Sequence, residues 1–201
     1  TTFLSWQVSG FYNAVRNQID FVQSGGDNRY VYRNIGQFKS HGARFSLSRE
    51  ASHWSWRFGA AWTAQSTDIA SSQNKPYTHT PELTAQGSWS PVDRVKLFTS
   101  LKYNGFQLRY FETTDELGEL TIGSSRMAPF TFADATASYS SRSGAWVYTA
   151  GVRNALDVQD VAIAGASSGS GPAHGGDGLA MMAWGRSMVA SVRWTLTPSK
   201  P

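Results

Sequence analysis

The side chains in this chain best equipped for chemistry are its four histidines, at positions 41, 53, 79 and 174. Imidazole ligates haem iron and transition metals, so His79 and His174, which fall between the regular stretches, are the pair to consider for that role. No two histidines stand at metal-ligand spacing, and no Ser-His-Asp arrangement has a supporting context, so loop histidines without a ligand are the plainer reading. Residues 164–178, Ala-Gly-Ala-Ser-Ser-Gly-Ser-Gly-Pro-Ala-His-Gly-Gly-Asp-Gly, invite comparison with a phosphate loop. Such a loop needs Lys-Ser/Thr after its glycines and then a helix, and neither follows here. A loop that covers or admits ligand, or a simple tether, fits the composition better. With no Cys, thiolate metal centres and disulfides are excluded. The sequence therefore implies no catalytic residue, metal or cofactor, and a protein that is not an enzyme.

A second set of groups is more regular. Arg44, Arg57, Lys96, Lys102, Arg153 and Arg193 each occupy the polar phase of a stretch that alternates apolar and polar residues. Alternation with period 2 is the mark of a strand with unlike faces. It is clearest at 54–64, Trp-Ser-Trp-Arg-Phe-Gly-Ala-Ala-Trp-Thr-Ala, where every even position is apolar. Similar runs begin at Leu4, within 29–49, and at Glu82, Val95, Ala133, Trp146 and Met188, about eight strands in all. No helical period extends beyond a turn, and no stretch approaches the roughly 20 apolar residues of a membrane helix. The abundance of Gly (19), Trp (8), Tyr (8) and Phe (11), with 16% charged residues, fits an all-β domain. The net charge of +4 is modest, and no basic cluster with interleaved aromatics points to nucleic acid.

Connections between the runs alternate in length. Short links fall at 50–53, 91–94 and 141–145, longer ones at about 66–79, 111–127 and 158–184, and the first link at 23–28 joins strands long enough to project past a bilayer. Short turns at one end and long loops at the other characterise an outer-membrane barrel, whose apolar face meets lipid and whose polar face lines the interior. Tyr77, Tyr110, Phe111 and Trp184, near the long-loop ends with His79 and His174, are candidates for a ligand vestibule. The same aromatics equally suit an upper aromatic girdle.

Four segments then carry a resemblance: Tyr32-x-Asn34-x-Gly36 with Ser40-x-Gly42; Phe130-Thr-Phe-Ala-Asp134-Ala-Thr-Ala-Ser-Tyr139; Gly151-Val-Arg-Asn154-Ala-Leu-Asp157; and Gly185-Arg186-Ser187. In this order and spacing they resemble the C-terminal part of the barrel of TonB-dependent outer-membrane receptors. The resemblance implies an antiparallel transmembrane β-barrel segment, about eight strands of a barrel of about 22 built around a plug. It assigns residues 1–201 to the C-terminal part of the barrel domain, with the plug domain outside this chain. It further implies a Gram-negative outer-membrane location, with outer-membrane lipid, the plug and remaining strands, and the inner-membrane protein TonB as partners. The cargo would be a scarce small molecule or iron chelate, such as a ferric siderophore, haem or cobalamin. The chain departs from the family in carrying Asn154-Ala-Leu-Asp157 for the usual Asn-Leu-Phe-Asp and Gly42-Ala-Arg44 for Gly-x-Glu. It also runs on past Trp194 to Thr-Pro-Ser-Lys-Pro201 instead of ending on an aromatic residue.

Two other architectures remain open on the residues alone: a stand-alone small outer-membrane barrel in adhesion or membrane integrity, and a soluble β-barrel that binds an apolar ligand. A narrow barrel has to fill its interior and partner its charges. Against the six interior bases the sequence offers only Glu82 and Asp134, among many Ser, Thr, Gly and Ala, which suits a wide barrel in which the bases contact a plug.

Overall fold

The computed structural model of the chain describes residues 3–17, 19–24, 29–34, 37–67, 77–114, 120–164, 179–181 and 183–196. In these, the alternating stretches form strands β1 (Phe3–Arg16), β2 (Ile19–Ser24), β3 (Arg29–Asn34), β4 (Gln37–Glu50), β5 (Trp54–Thr67), β6 (Thr78–Val92) and β7 (Val95–Asn104). They continue as β8 (Gln107–Thr114), β9 (Leu120–Met127), β10 (Phe130–Ser140), β11 (Trp146–Arg153), β12 (Asp160–Ala164), β13 (Leu179–Met181) and β14 (Ser187–Trp194). There is no helix among the described residues.

Eight strands make one antiparallel sheet in the order β1-β4-β5-β6-β7-β10-β11-β14, which are the eight runs of the sequence. The sheet is open: β1 and β14 are its two edges, and neither closes on the other. An eight-stranded barrel closed on itself is therefore not what this chain forms.

Register fixes the faces, because residues directly opposite each other share one. Trp54 faces Trp89, Phe58 faces Leu47 and Ala85, and Trp62 faces Ala43 and Pro81. From there the apolar face continues through Leu97 and Leu101 to Ala137 and Ala133, then Ala150, Val152, Ala190 and Met188. The other face carries Ser, Thr and Gln with most of the charged groups, while Arg16, Lys39 and Arg49 stand in phase with the apolar residues. Among the described residues no second layer packs on either face. The surface of 14631 Å² compares with about 9,300 Å² for a compact protein of this mass. Ala64 and Val161 are the buried hydrophobic residues among those described, while Trp6, Trp89 and Trp194 are more than half exposed.

The short turns are held by local bonds. Ala51 N donates to Trp54 O (2.8 Å), and at 141–145 the Ser141 hydroxyl accepts from Trp146 N (3.1 Å) while Gly144 takes φ +70°. In β6 the sequence pattern fades at Pro81 and Pro91, yet the strand passes through both. Pro91 sits where the register with β7 shifts between Trp89 and Val92, and Pro81 lies just beyond the end of β7, so neither missing N–H breaks the ladder.

The long connections differ most from expectation. Strands β2 and β3 form a separate two-stranded sheet, and β13-β12-β9-β8 form a four-stranded one. Here Ile163 and Ala164 pair with Met127 and Arg126, so the connection after β7 and the one after β11 share one sheet. These strands are short and mix aromatic, acidic and small residues without clean alternation, which is why a period-2 reading passes over them.

Candidate functional site

The polar face brings together the six cations read from the sequence. Arg44 stands opposite Ser9 and Ala61, Arg57 opposite Ser48 and Gln86, Lys96 opposite Ser138, Lys102 opposite Thr84 and Phe132, Arg153 opposite Ser187, and Arg193 opposite Val147. Hydroxyl pairs surround them, Ser55 with Ser88 at 2.8 Å and Ser138 with Thr149 at 2.9 Å. Three acids share this face: Glu82, Asp134 and Glu50, the last opposite Phe3 and not anticipated from the alternation. Among the described residues Lys102 and Glu82 alone approach as an ion pair, at 3.8 Å, with both side chains exposed. The Arg44 guanidinium instead lies over the Phe11 ring, 5.7 Å from its centroid. Among the described residues, no carboxylate pairs with Arg57, Lys96, Arg153 or Arg193.

Toward the short-turn end the cations concentrate. One concavity of about 350 Å³ is lined by Arg57 and Lys96 with Ser55, Gln86 and Ser88. A neighbouring one of about 470 Å³ is lined by Lys96 and Arg193 with Ser138, Thr149 and Ser191. Lys96 belongs to both, so Arg57, Lys96 and Arg193 form a continuous, mainly basic floor rich in hydroxyls, with Glu50 and Asp93 also in its lining. Such a surface offers N–H and O–H donors to carboxylates or backbone carbonyls of whatever fills the concave side. Phe11, Phe98, Phe130 and Phe132 also stand on this polar parity, a feature that alternation conceals.

The vestibule candidates scatter. Tyr77 and His79 come together, but on the apolar face: His79 stacks on Trp62 (5.2 Å, 11°), and His41 meets both Trp62 (5.6 Å) and Tyr77 (4.9 Å) edge-on. This places them on the apolar face, opposite in phase to the six polar-face cations. A second aromatic set closes the opposite end of the same face, with Trp146 stacked on Trp194 (5.5 Å, 13°) and Trp54 opposite Trp89. Trp184 is 97% exposed, in the segment between β13 and β14, and joins neither set. Tyr110 and Phe111 lie on β8, paired through their backbones with Ser124 and Gly123. His174 lies outside the described residues. No group of metal-binding side chains forms among the described residues.

The sequence reading missed a hydrogen-bonded clamp at the foot of the last long connection. Asn154, buried and at φ +50°, donates its backbone N–H to Asp134 Oδ1 (2.8 Å). Its side chain donates to Val158 O (2.7 Å) and accepts from Val158 N (3.0 Å). Asp157, also at positive φ (59°), accepts from Arg186 N (2.7 Å), and Arg186 Nε donates to Ala155 O (3.0 Å). The bonds from Arg186 N and the Gln159 amide hold the Asp157 carboxyl below its ordinary range. Gly185, at φ +81°, leaves room for that carboxylate, since a Cβ there would meet Asp157 Oδ1 at 2.9 Å. Two turn residues at 154 and 157 and the glycine at 185 were the available signal, and the sequence reading used them only as motif letters.

Compared with known families, the chain matches a family model described as TonB dependent receptor-like, beta-barrel, over residues 1–155. No curated protein and no solved structure matches it.

Proposed function

Because this chain belongs to the TonB-dependent receptor-like β-barrel family, whose barrel its open antiparallel sheet represents in part, we propose that it forms one arc of a wide, plugged outer-membrane barrel. In this reading the barrel takes up a scarce ligand with energy delivered through TonB. One observation carries the proposal: an apolar face bounded by aromatic sets at both ends backs onto a polar face where Arg57, Lys96, Arg153 and Arg193 have no carboxylate partner among the described residues. Trp54 to Trp62 is eight strand steps, about 26 Å along the strand, which suits the apolar band of an outer-membrane barrel. Lipid covers that band, and the unpaired edges β1 and β14 meet the remaining strands.

The short turns are then periplasmic and the second sheet, on the long-loop side, extracellular. The basic floor of Arg57, Lys96 and Arg193 contacts the plug at membrane depth, where its donors meet plug carboxylates and carbonyls. Ligand is held above the plug, nearer Lys102, Arg153 and the long connections. The cations there favour an anionic cargo such as a ferric chelate.

The test uses the complete protein in outer membranes, comparing wild type with an Arg57→Glu/Lys96→Glu variant. Reversal of the floor is expected to expose the plug to protease and to admit small solutes, while the barrel keeps its heat-modifiable mobility. A plug as protected as in wild type would refute the floor's role. Uptake that persists without TonB would refute energised transport.

A further inference from the structure

We propose that a notch in the polar face of the sheet, between Arg44 and Glu82, binds a zwitterionic head whose ammonium and carboxylate share one carbon, as in an α-amino acid. The inference rests on the uptake reading above and names a group that the cargo presents. Two rows of opposed residues build the notch. In one, Arg44 of β4 faces Ala61 of β5, which faces Glu82 of β6; in the next, Ser46 faces Gly59, which faces Thr84. Gln7 and Ser9 of β1 stand behind Ser46 and Arg44. Gly59 and Ala61 thus make a floor almost without side chains, and the cavity above it measures about 380 Å³. At 59 the floor has to stay bare, because a Cβ there would meet Thr84 Oγ1 at 2.5 Å.

The two banks hold opposite charges that do not meet. Arg44 and Glu82 are two strand spacings apart, about 9.5 Å between Cα atoms, and the ion pair that Glu82 makes is with Lys102, through Oε2 at 3.8 Å. That contact leaves the carboxylate with acceptor capacity, and the Arg44 guanidinium keeps its fork of donors. An anion alone would satisfy Arg44 and be repelled by Glu82, and a cation alone the reverse. A ligand with both charges satisfies the two banks at once. The hydroxyls of Ser9, Ser46 and Thr84 both donate and accept, so they complete the hydrogen bonds of either group. A saccharide would ask for an open aromatic ring to lie on. No aromatic residue of the polar face lines the notch among the described residues, and the Phe11 ring is taken by the Arg44 guanidinium at 5.7 Å. Ala61 stands four strand steps from Arg57, about 13 Å, which puts the notch on the long-loop side of the basic floor. A cargo can be anionic overall and still present this head.

The experiment titrates the complete protein in detergent with L-norleucine, with N-acetyl-norleucine, which keeps only the carboxylate charge, and with norleucine amide, which keeps only the ammonium, reading binding by saturation-transfer NMR. Wild type is expected to bind norleucine about tenfold more tightly than either blocked form, the worth of one charge-assisted hydrogen bond. Arg44→Gln should bind norleucine about tenfold more weakly and no better than the amide. Glu82→Gln should instead bind it no better than the N-acetyl form. A merely structural role would not produce this crosswise loss. Ala61→Leu, which fills the notch and leaves both charges, should abolish binding of all three probes, and Arg49→Gln, on the apolar face, should bind as wild type does. Equal binding of the three probes, glucose binding as tightly as norleucine, or the same preference lost in both charge variants would each overturn the notch. A heat-modifiable protein with TonB-dependent uptake that is indifferent to norleucine would overturn this inference alone. A protein that stays soluble without detergent and shows no heat-modifiable form would overturn the membrane reading beneath it.

Discussion

Replacing Asn154 by Ala should loosen the clamp beneath the last long connection without disturbing the rest of the sheet. The substitution removes two bonds, those of the Asn154 amide to Val158 O and N, at a site shielded from water. It also leaves a residue other than Gly or Asn at φ +50°. Two bonds at about 1 kcal/mol each and a left-handed backbone at about 1 kcal/mol sum to about 3 kcal/mol. Asn154→Gly loses the same bonds but tolerates the backbone angle, so its cost is about 2 kcal/mol. Local opening is what these changes affect, and amide exchange measures it. Peptides covering 155–159 and 185–187 should exchange about 150-fold faster in Asn154→Ala and about 30-fold faster in Asn154→Gly, while β4 and β5 keep wild-type rates. Equal rates in the two variants would refute the backbone contribution. Rates within threefold of wild type in both would refute the side-chain bonds as what holds the clamp.

Asp157 carries a pH signature: its carboxyl binds a proton less tightly folded than unfolded, so its support of Arg186 is complete above the ordinary carboxylate range and is lost as pH falls through and below it. Exchange at 185–187, corrected for intrinsic rates, should therefore rise on acidification in wild type and change little in Asp157→Asn. Gly42→Ala should destabilise the protein by about 1–3 kcal/mol, seen as a lower urea midpoint of the heat-modifiable form, because the added Cβ meets the Phe11 ring at 2.7 Å and also the Trp62 carbonyl. Adding Phe11→Ala should recover only part of that loss, since the carbonyl is backbone and stays. Glu82→Gln should shift the same midpoint by less than about 1 kcal/mol, as its ion pair with Lys102 is solvent-screened.

Period 2 is an intrinsic property of a strand with one apolar face, which is why all eight strands of the main sheet and the shared parity of the six polar-face cations are legible before any coordinates. The pattern weakens where both faces are alike or both are wet. Strands β8, β9, β12 and β13 are short and their sequences alternate poorly, and β6 runs through two prolines whose tolerance depends on the neighbours β5 and β7. Glu50 and the polar-face phenylalanines escaped because alternation is read from the majority of a run, and these residues are its exceptions. The clamp was invisible for a different reason. Its bonds join Asp134, Asn154 and Arg186 across gaps in sequence that only the pairing of β10 with β11 and β11 with β14 closes. Likewise His79 read as a loop group because β6 begins at Thr78, one residue earlier, and its phase is set by pairing with Ala64.

The pairing of Ile163 and Ala164 with Met127 and Arg126 gives the two long connections a common fate. Neither can be exchanged for a foreign sequence on its own, because its partner would be left with an unpaired ladder edge. The unit of recombination is the pair, 107–127 together with the 160–181 region, grafted between fixed stems. Drift in one half would select compensating drift in the other, so diversification of this surface would proceed by matched steps in two segments that lie far apart along the chain.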